Sequence, residues 1–360
     1  MKKFVYSAVA LTMATGASYA AETGWASLDQ EISGLSSSLS AQNAGGPKVG
    51  GWIITSVRSQ GDGVGIDTDD DGTVDETVDK LGFQLDQVRL HVTGDVSNDY
   101  SYKIGFDLQN GDAELTDAYI KWKLMDGVNG MMGRFLYPTL KSATMDENKL
   151  LFLNRTLIGS VLYSSSLDLD EDGLTDPETR GRAEGIAATG SFEMLGYTLA
   201  IQNGGDGVAD ELAFTVNVSA DVMGKGAGMV EGAYGAAEGT NLTVGGFYHD
   251  DGSIEDGNAF GIEAYFTMGA LAAAVNYVSF GEGFGDVSPY DITASYLFTE
   301  QYEAGVRYED TDADVTKLTA GVNRYSAGHN LKWTLQYSKI DVDGGEGPED
   351  EIALGATLAF

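Results

Sequence analysis

The sequence predicts an all-β protein, a transmembrane antiparallel β-barrel of about sixteen strands preceded by a short N-terminal helical segment. Three observations carry that prediction. From residue 49 onward, segments of about ten residues alternate between large apolar and small or charged side chains, the period of a strand with one apolar and one polar face. The polar faces carry Lys103, Asp107, Lys121, Lys123, Glu263, Asp291, Glu303, Arg307 and Lys332, more charge than a dry core can hold. The chain also closes on Ile352, Leu354, Ala356, Leu358 and Phe360, an alternating strand that ends on an aromatic residue.

Composition bounds the alternatives. The 360 residues include 21 Lys and Arg against 55 Asp and Glu, a formal net charge of −34. Such an excess argues against nucleic acid as a partner, because binding a phosphate backbone needs clustered cations. Disorder is not implied, since 42% of residues are hydrophobic and 10% aromatic. Glycine numbers 49 and proline only 5, as expected for many strands joined by tight turns. There is no cysteine, which removes disulfides, thiolate metal sites and cysteine nucleophiles and suits an oxidising envelope compartment.

Taken in order, Lys2 and Lys3 precede a short apolar run at 4–14 and then Ser18-Tyr19-Ala20, the signature of a signal peptide at 1–20. The apolar run is too short to span a bilayer, and no later segment is long and apolar enough for a transmembrane helix. In the leader at 21–48, Trp25, Leu28, Ile32, Leu35 and Leu39 step by three and four, the spacing of a coiled-coil seam. Barely two heptads long, this segment could trimerise under three barrels, reach toward the cell wall, or be a polar leader with accidental spacing. Residues 41–46 read as a flexible joint. The barrel itself is expected over 49–360.

Strands are expected at 49–59, 82–95, 99–109, 113–124, 128–136, 183–194, 196–203, 210–222, 241–250, 258–268, 270–280, 288–298, 301–310, 315–326, 329–341 and 351–360. A soluble sandwich would alternate too, but its strands average about five or six residues. Here they run nearer the length that a tilted strand needs to cross a bilayer, with Tyr, Trp and Phe gathered at segment ends. Short turns such as Ser97-Asn98-Asp99, Met268-Gly269-Ala270 and Thr299-Glu300 alternate with longer acidic loops, the arrangement of bacterial outer-membrane barrels. An even count puts both termini on the periplasmic side. That count takes 223–240 as a long periplasmic turn; a strand at 229–235 would break the parity. A bulge is expected near Asp86, because Phe83 and Leu85 are out of phase with Val88, Leu90 and Val92.

Between residues 81 and 163 the sequence resembles the phosphate-selective porin O and P family. The matching residues are Phe83, Val88-Arg89-Leu90, Tyr102-Lys103-Ile104-Gly105-Phe106-Asp107, Leu115-Thr116-Asp117-Ala118-Tyr119-Ile120 and Gly133-Arg134-Phe135-Leu136-Tyr137-Pro138. The resemblance implies a sixteen-stranded trimeric porin of the bacterial outer membrane whose third long loop folds inward to narrow the channel. That loop is the stretch at 138–182, far longer than a connection requires. Leu150, Leu151, Phe152, Leu153, Leu157 and Ile158 make its first half too apolar for a solvated loop, so it should pack inside the barrel. The expected pore-lining residues are then Lys103, Asp107, Asp117, Lys121, Arg134, Lys141, Lys149, Arg155 and Arg307, with ordinary surface cations as the competing reading of the loop residues. Phosphate selection needs a dense ladder of cations, whereas the inward charges here are mixed and the loops acidic. The expected function is therefore a general or mildly cation-favouring diffusion channel for small ions and solutes. The alternatives are an anion- or phosphate-selective porin, or a structural barrel that tethers the outer membrane.

Two acidic stretches fit Asp-x-Asp-x-Asp-Gly-x-x-Asp: Asp67, Asp69, Asp71 and Asp75, and Asp168, Asp170, Asp172 and Asp176. Alternating carboxylates with glycine at the sixth position can wrap Ca²⁺. Val78 and Thr179 stand where an EF-hand has its glutamate, so a full EF-hand is not implied, and chance in acidic, glycine-rich loops is the plain alternative. No cofactor is required. His91, His249 and His329 share no motif, and no nucleophile elbow, phosphate loop or zinc-protease pair occurs, so an enzyme is not expected. The expected partners are outer-membrane lipid and lipopolysaccharide, two further copies of the chain, and the barrel-assembly machinery through the C-terminal strand.

Overall fold

The computed structural model describes residues 46–66, 76–109, 111, 113–164, 181–205, 211–313, 315–342 and 349–360. The expected signal peptide and nearly all of the leader fall outside these residues. So do both acidic stretches: Asp67, Asp69, Asp71 and Asp75, and Asp168, Asp170, Asp172 and Asp176.

Sixteen strands run β1 (Lys48–Ile66), β2 (Glu76–Ser97), β3 (Tyr100–Asp107), β4 (Glu114–Met125), β5 (Val128–Leu136), β6 (Arg182–Phe192), β7 (Leu195–Asn203) and β8 (Leu212–Met223). They continue β9 (Thr240–Asp251), β10 (Asn258–Met268), β11 (Leu271–Phe280), β12 (Tyr290–Thr299), β13 (Tyr302–Asp310), β14 (Val315–Tyr325), β15 (Leu331–Val342) and β16 (Glu349–Ala359). Each pairs with its sequence neighbours and β1 closes on β16, so the sheet is a barrel without an edge. The closing register sets Trp52 opposite Ala359 and Gln60 opposite Glu351, and all the strand pairs with a defined register are antiparallel. Every expected strand is present and 229–235 is not one. Both β1 and β2 extend further than expected, to 19 and 22 residues. The added residues are glycine-rich in β1 and largely charged in β2, so neither carries the alternation that marks the other strands.

Alternation sorts the side chains as the sequence requires. Ile262, Ile292, Val306, Leu335 and Leu354 stand exposed on the outer face, where a bilayer accepts them. Phe298 stacks beside Tyr302 at 5.9 Å at one rim, and Tyr290 lies 6.1 Å from Tyr308 toward the other, forming aromatic girdles. The phase change in β2 falls at Asp86 and Gln87, which both point inward: Asp86 meets Arg58 at 2.5 Å and Gln87 accepts from Trp52 Nε1 at 3.1 Å. Among the described residues no helix is long and apolar enough to cross a membrane; the strands do the crossing.

The connections at one end are two-residue turns after β2, β4, β6, β10 and β12. Outer-membrane barrels turn that end toward the periplasm. The segment after β8 belongs to the same end but does not stay at the rim: Ala227, Val230, Glu231 and Ala233 are buried inside the barrel. The long connection between β5 and β6 enters from the opposite end. It carries α1 (Lys141–Thr144), a single 3₁₀ turn at Glu147–Lys149 and α2 (Leu157–Ser164). The apolar core of the molecule is where this loop meets the wall. Leu140 and Ile158 pack on Phe247, Ala259 and Val278, and Leu153 packs on Trp52, Ile54 and Ala353.

Candidate pore constriction

The loop between β5 and β6 folds inward because its apolar side chains and its backbone both find partners on the wall of β9 to β16. Leu140, Met145, Leu150, Leu151, Phe152 and Ile158 are buried. Gly305, Gly321 and Gly355 on that wall lie directly beneath Leu151, Phe152 and Leu153, and a Cβ at Gly305 or Gly355 would collide with the leucine above it. The loop's N–H groups, which burial would otherwise leave unpaired, are taken by side chains. Lys141 N–H donates to Glu263 at 2.7 Å, Leu151 N–H to Glu231 at 2.6 Å, Leu153 N–H to Gln336 at 3.0 Å and Leu157 N–H to Glu309 at 2.5 Å. Loop carbonyls are met by Asn323 on Leu151 at 2.7 Å, Arg307 on Asn154 at 3.1 Å and Lys332 on Leu150.

The inward charges on this side are therefore spent on holding the loop. Arg307, expected to line the pore, is buried between the loop and residues 224–239, paired with Glu231 and lying over Phe152. Lys141 is also covered, with its ammonium 4.2 Å above the Tyr265 ring. Burial pushes Lys141 down to about 8, against the pull of Glu263 and Asp221. Lys149 is half-buried at the loop tip, and its carbonyl accepts the Glu231 N–H at 3.2 Å.

The candidate passage is the cavity on the other side, between the loop and strands β2 to β6. Arg89, His91, Lys103 and Asp117 border it from the wall, Asp146, Glu147, Arg155 and Tyr163 from the loop, and Arg182 from the start of β6. Cations and carboxylates alternate across it. Arg89 pairs with Asp107 at 3.2 Å, Lys103 with Asp117 at 3.4 Å, Arg182 with Asp117 at 3.7 Å and Arg155 with Glu147 at 2.7 Å. Three guanidiniums converge on one phenol: Arg155, Arg182 and Arg89 stand 4.3, 4.5 and 5.3 Å from the centre of the Tyr163 ring, and Arg89 also donates to its hydroxyl. Burial raises Tyr163 to about 12 and Glu147 adds to the rise, so the phenol stays neutral. Burial would raise Glu147 as well, but Arg155 and then Arg89 outweigh it and hold the carboxyl at about 2.

Of the expected pore residues, the structure thus gathers Lys103, Asp117 and Arg155 at the candidate passage, with Asp107 behind it in its pair with Arg89. Lys121 lies further toward the short-turn end of β4, opposite Ser101 and Met131, half-buried on the inward phase. Arg134 is on the outer face: it stands next to inward Phe135 in β5 and pairs with Glu184 at 3.1 Å, because strand alternation turns it away from the lumen. Arg89, Glu147, Tyr163 and Arg182 were missed. Arg89 was legible, since it shares the inward phase with His91 against outward Leu90. The other three depend on how the loop docks, which no local pattern encodes. Among the described residues no group of three or more metal-ligating side chains forms.

A closed barrel with an apolar exterior and an inward-folded third long loop beside a charged passage defines a porin, a channel of the bacterial outer membrane. The sequence profile described as phosphate-selective porin O and P matches residues 57–277, more than half of the chain, and the chain belongs to that family. Among solved structures it is similar to a triply substituted porin of Rhodopseudomonas blastica, with 14% identity and a TM-score of 0.56 over 88% of this chain and 100% of that one. A second triple variant of the same porin gives 13% identity and a TM-score of 0.55 over the same shares. At such identities the likeness concerns the fold. No curated protein sequence matches the chain.

Proposed function

We propose that the channel passes small ions and solutes by diffusion, with weak selectivity that favours cations. The pairing of charges across the passage carries this reading: Arg89, Lys103, Arg155 and Arg182 each have a carboxylate within 3.7 Å. A cation that already has a carboxylate partner offers a passing anion little net attraction, and a net charge of −34 concentrates cations at the mouths. Reversal potentials across a KCl gradient test it: a cation-favouring sign is expected, and clear anion selectivity refutes it. A second reading has its own observation. The three guanidiniums around Tyr163 form a local anion subsite, as the family's description suggests. Phosphate that lowers chloride conductance at equal ionic strength would favour that reading.

The further expectations belong to the same reading. A signal peptide at 1–20 exports the chain, three copies assemble in the outer membrane among lipopolysaccharide, and the strand ending at Phe360 is handed to the barrel-assembly machinery. Channel openings in steps of three test the trimer. Ca²⁺ held by the acidic stretches would give binding heats that Asp69→Asn and Asp170→Asn abolish; unchanged heats remove those sites. A folded barrel that never conducts would instead favour a structural tether.

A further inference from the structure

Residues 224–239 connect β8 to β9 at the end where most connections are two-residue turns. Closing a barrel does not require sixteen residues there, and chain in excess of the connection demands a role. This segment rises into the lumen and meets the constriction loop. Ala227 packs with Met145 and Leu150. Glu231 takes the Leu151 N–H on one oxygen at 2.6 Å and the Arg307 guanidinium on the other, while its own N–H donates to the Lys149 carbonyl at 3.2 Å. Arg307 passes the connection on, donating to the Asn154 carbonyl at 3.1 Å. The tip of the constriction loop is thus gripped on both sides of Leu151 by one buried ion pair.

The segment is itself fastened to the wall. Lys225 N–H donates to Asn241 at 2.9 Å, Ala227 N–H to Thr243 at 2.9 Å and Ala233 N–H to Glu303 at 2.5 Å. Tyr234 stacks on Tyr325 with ring centres 3.7 Å apart. Polar backbone is held in this interior only because these partners replace water.

We infer that residues 224–239 form a second constriction element that enters from the periplasmic end, with Glu231 as the residue that positions the tip of the constriction loop and so sets the width of the passage. This rests on the channel reading. The wall holds the tip through Asn323 on the Leu151 carbonyl and Lys332 on the Leu150 carbonyl; Glu231 takes the Leu151 N–H and, through its own N–H, the Lys149 carbonyl, so it completes a grip that the wall makes from one side.

The test uses the full-length barrel in planar bilayers, with folding checked by heat-modifiable mobility on gels. Wild type is measured first, because a silent wild type refutes the channel reading itself. Replacing 225–238 by Asn-Gly is expected to raise single-channel conductance about two-fold, since it removes one occupant of the lumen and frees another. Glu231→Gln still accepts from Leu151 but carries no charge for Arg307, and it is expected to give rapid flicker between conductance levels and closure at lower voltage. A folded short-turn variant with wild-type conductance overturns the inference, and so do quiet, wild-type-like traces from Glu231→Gln. If the short-turn variant does not fold, the glutamine variant decides alone.

Discussion

The two sides of this barrel carry the same kind of inward-facing residue and use it differently. On β2 to β6, Arg89, Lys103 and Asp117 border the passage, where Lys103 stays partly exposed while Arg89 and Asp117 are buried in ion pairs with passage-side partners. On β10 to β15, Glu263, Glu303, Arg307, Glu309 and Lys332 are fully or almost fully buried beneath two inward-folded segments. Their oxygens and nitrogens are matched to loop N–H and carbonyl groups. The lesson is that a charge on the lumen side of a porin strand is not yet a pore charge. Where a loop covers it, it becomes a docking point whose removal is felt in loop position rather than in ion selectivity.

The largest expected effect comes from breaking a docking point on the covered side. Arg307→Met leaves Glu231 buried without its partner and should cost about 3–5 kcal/mol, the usual penalty for orphaning a buried charge. The urea midpoint for unfolding the barrel in micelles should drop accordingly, while reversal potential changes little. Gly355→Val comes next. Overfilling the space under Leu153 should cost about 1–3 kcal/mol and push the loop tip into the lumen. Lower single-channel conductance would be the sign, and an unchanged value would mean that the wall yields instead.

Neutralising the passage side should differ in its readout. Arg155→Gln leaves Glu147, which is buried too, without its main partner, so the midpoint should drop here as well, but the reversal potential should also shift toward cations. A shift of equal size from Lys332→Met would erase the distinction between the two sides. Acid probes the same pair. Glu147 falls from its ordinary 4.5 to about 2, so its contribution to loop docking is fully present above about 4.5 and is lost as pH falls from there through 2. Conductance should hold steady in mild acid and change only toward pH about 2; Glu147→Gln should remove that late step. The smallest effect is expected from Arg134→Ala. Its pair with Glu184 lies outside the lumen and is largely solvent-facing on the glutamate side, so the change should be about 0–1 kcal/mol with no effect on selectivity.

Much of this was legible in the chain. Period-two alternation located all sixteen strands, because the side chains of a membrane barrel face two different solvents and each strand must declare both. The change of phase at Asp86 and Gln87 showed as a slip of that alternation, and the inward loop showed as apolar residues where a solvated loop would have none. What alternation cannot say is which inward residues remain in water. Arg307 and Lys103 look alike on their strands, yet one lies under Leu151–Asn154 and the other beside the passage. The burial of residues 226–227 and 230–233 left no signal either, since their segment is small, glycine-rich and aperiodic. The sequence by itself determined the barrel, its strand count and the inward turn of the loop. Only the tertiary structure decided the passage, because its lining depends on which wall the loop and residues 224–239 cover, and that is settled by contacts between residues as far apart in the chain as Leu153 and Gln336.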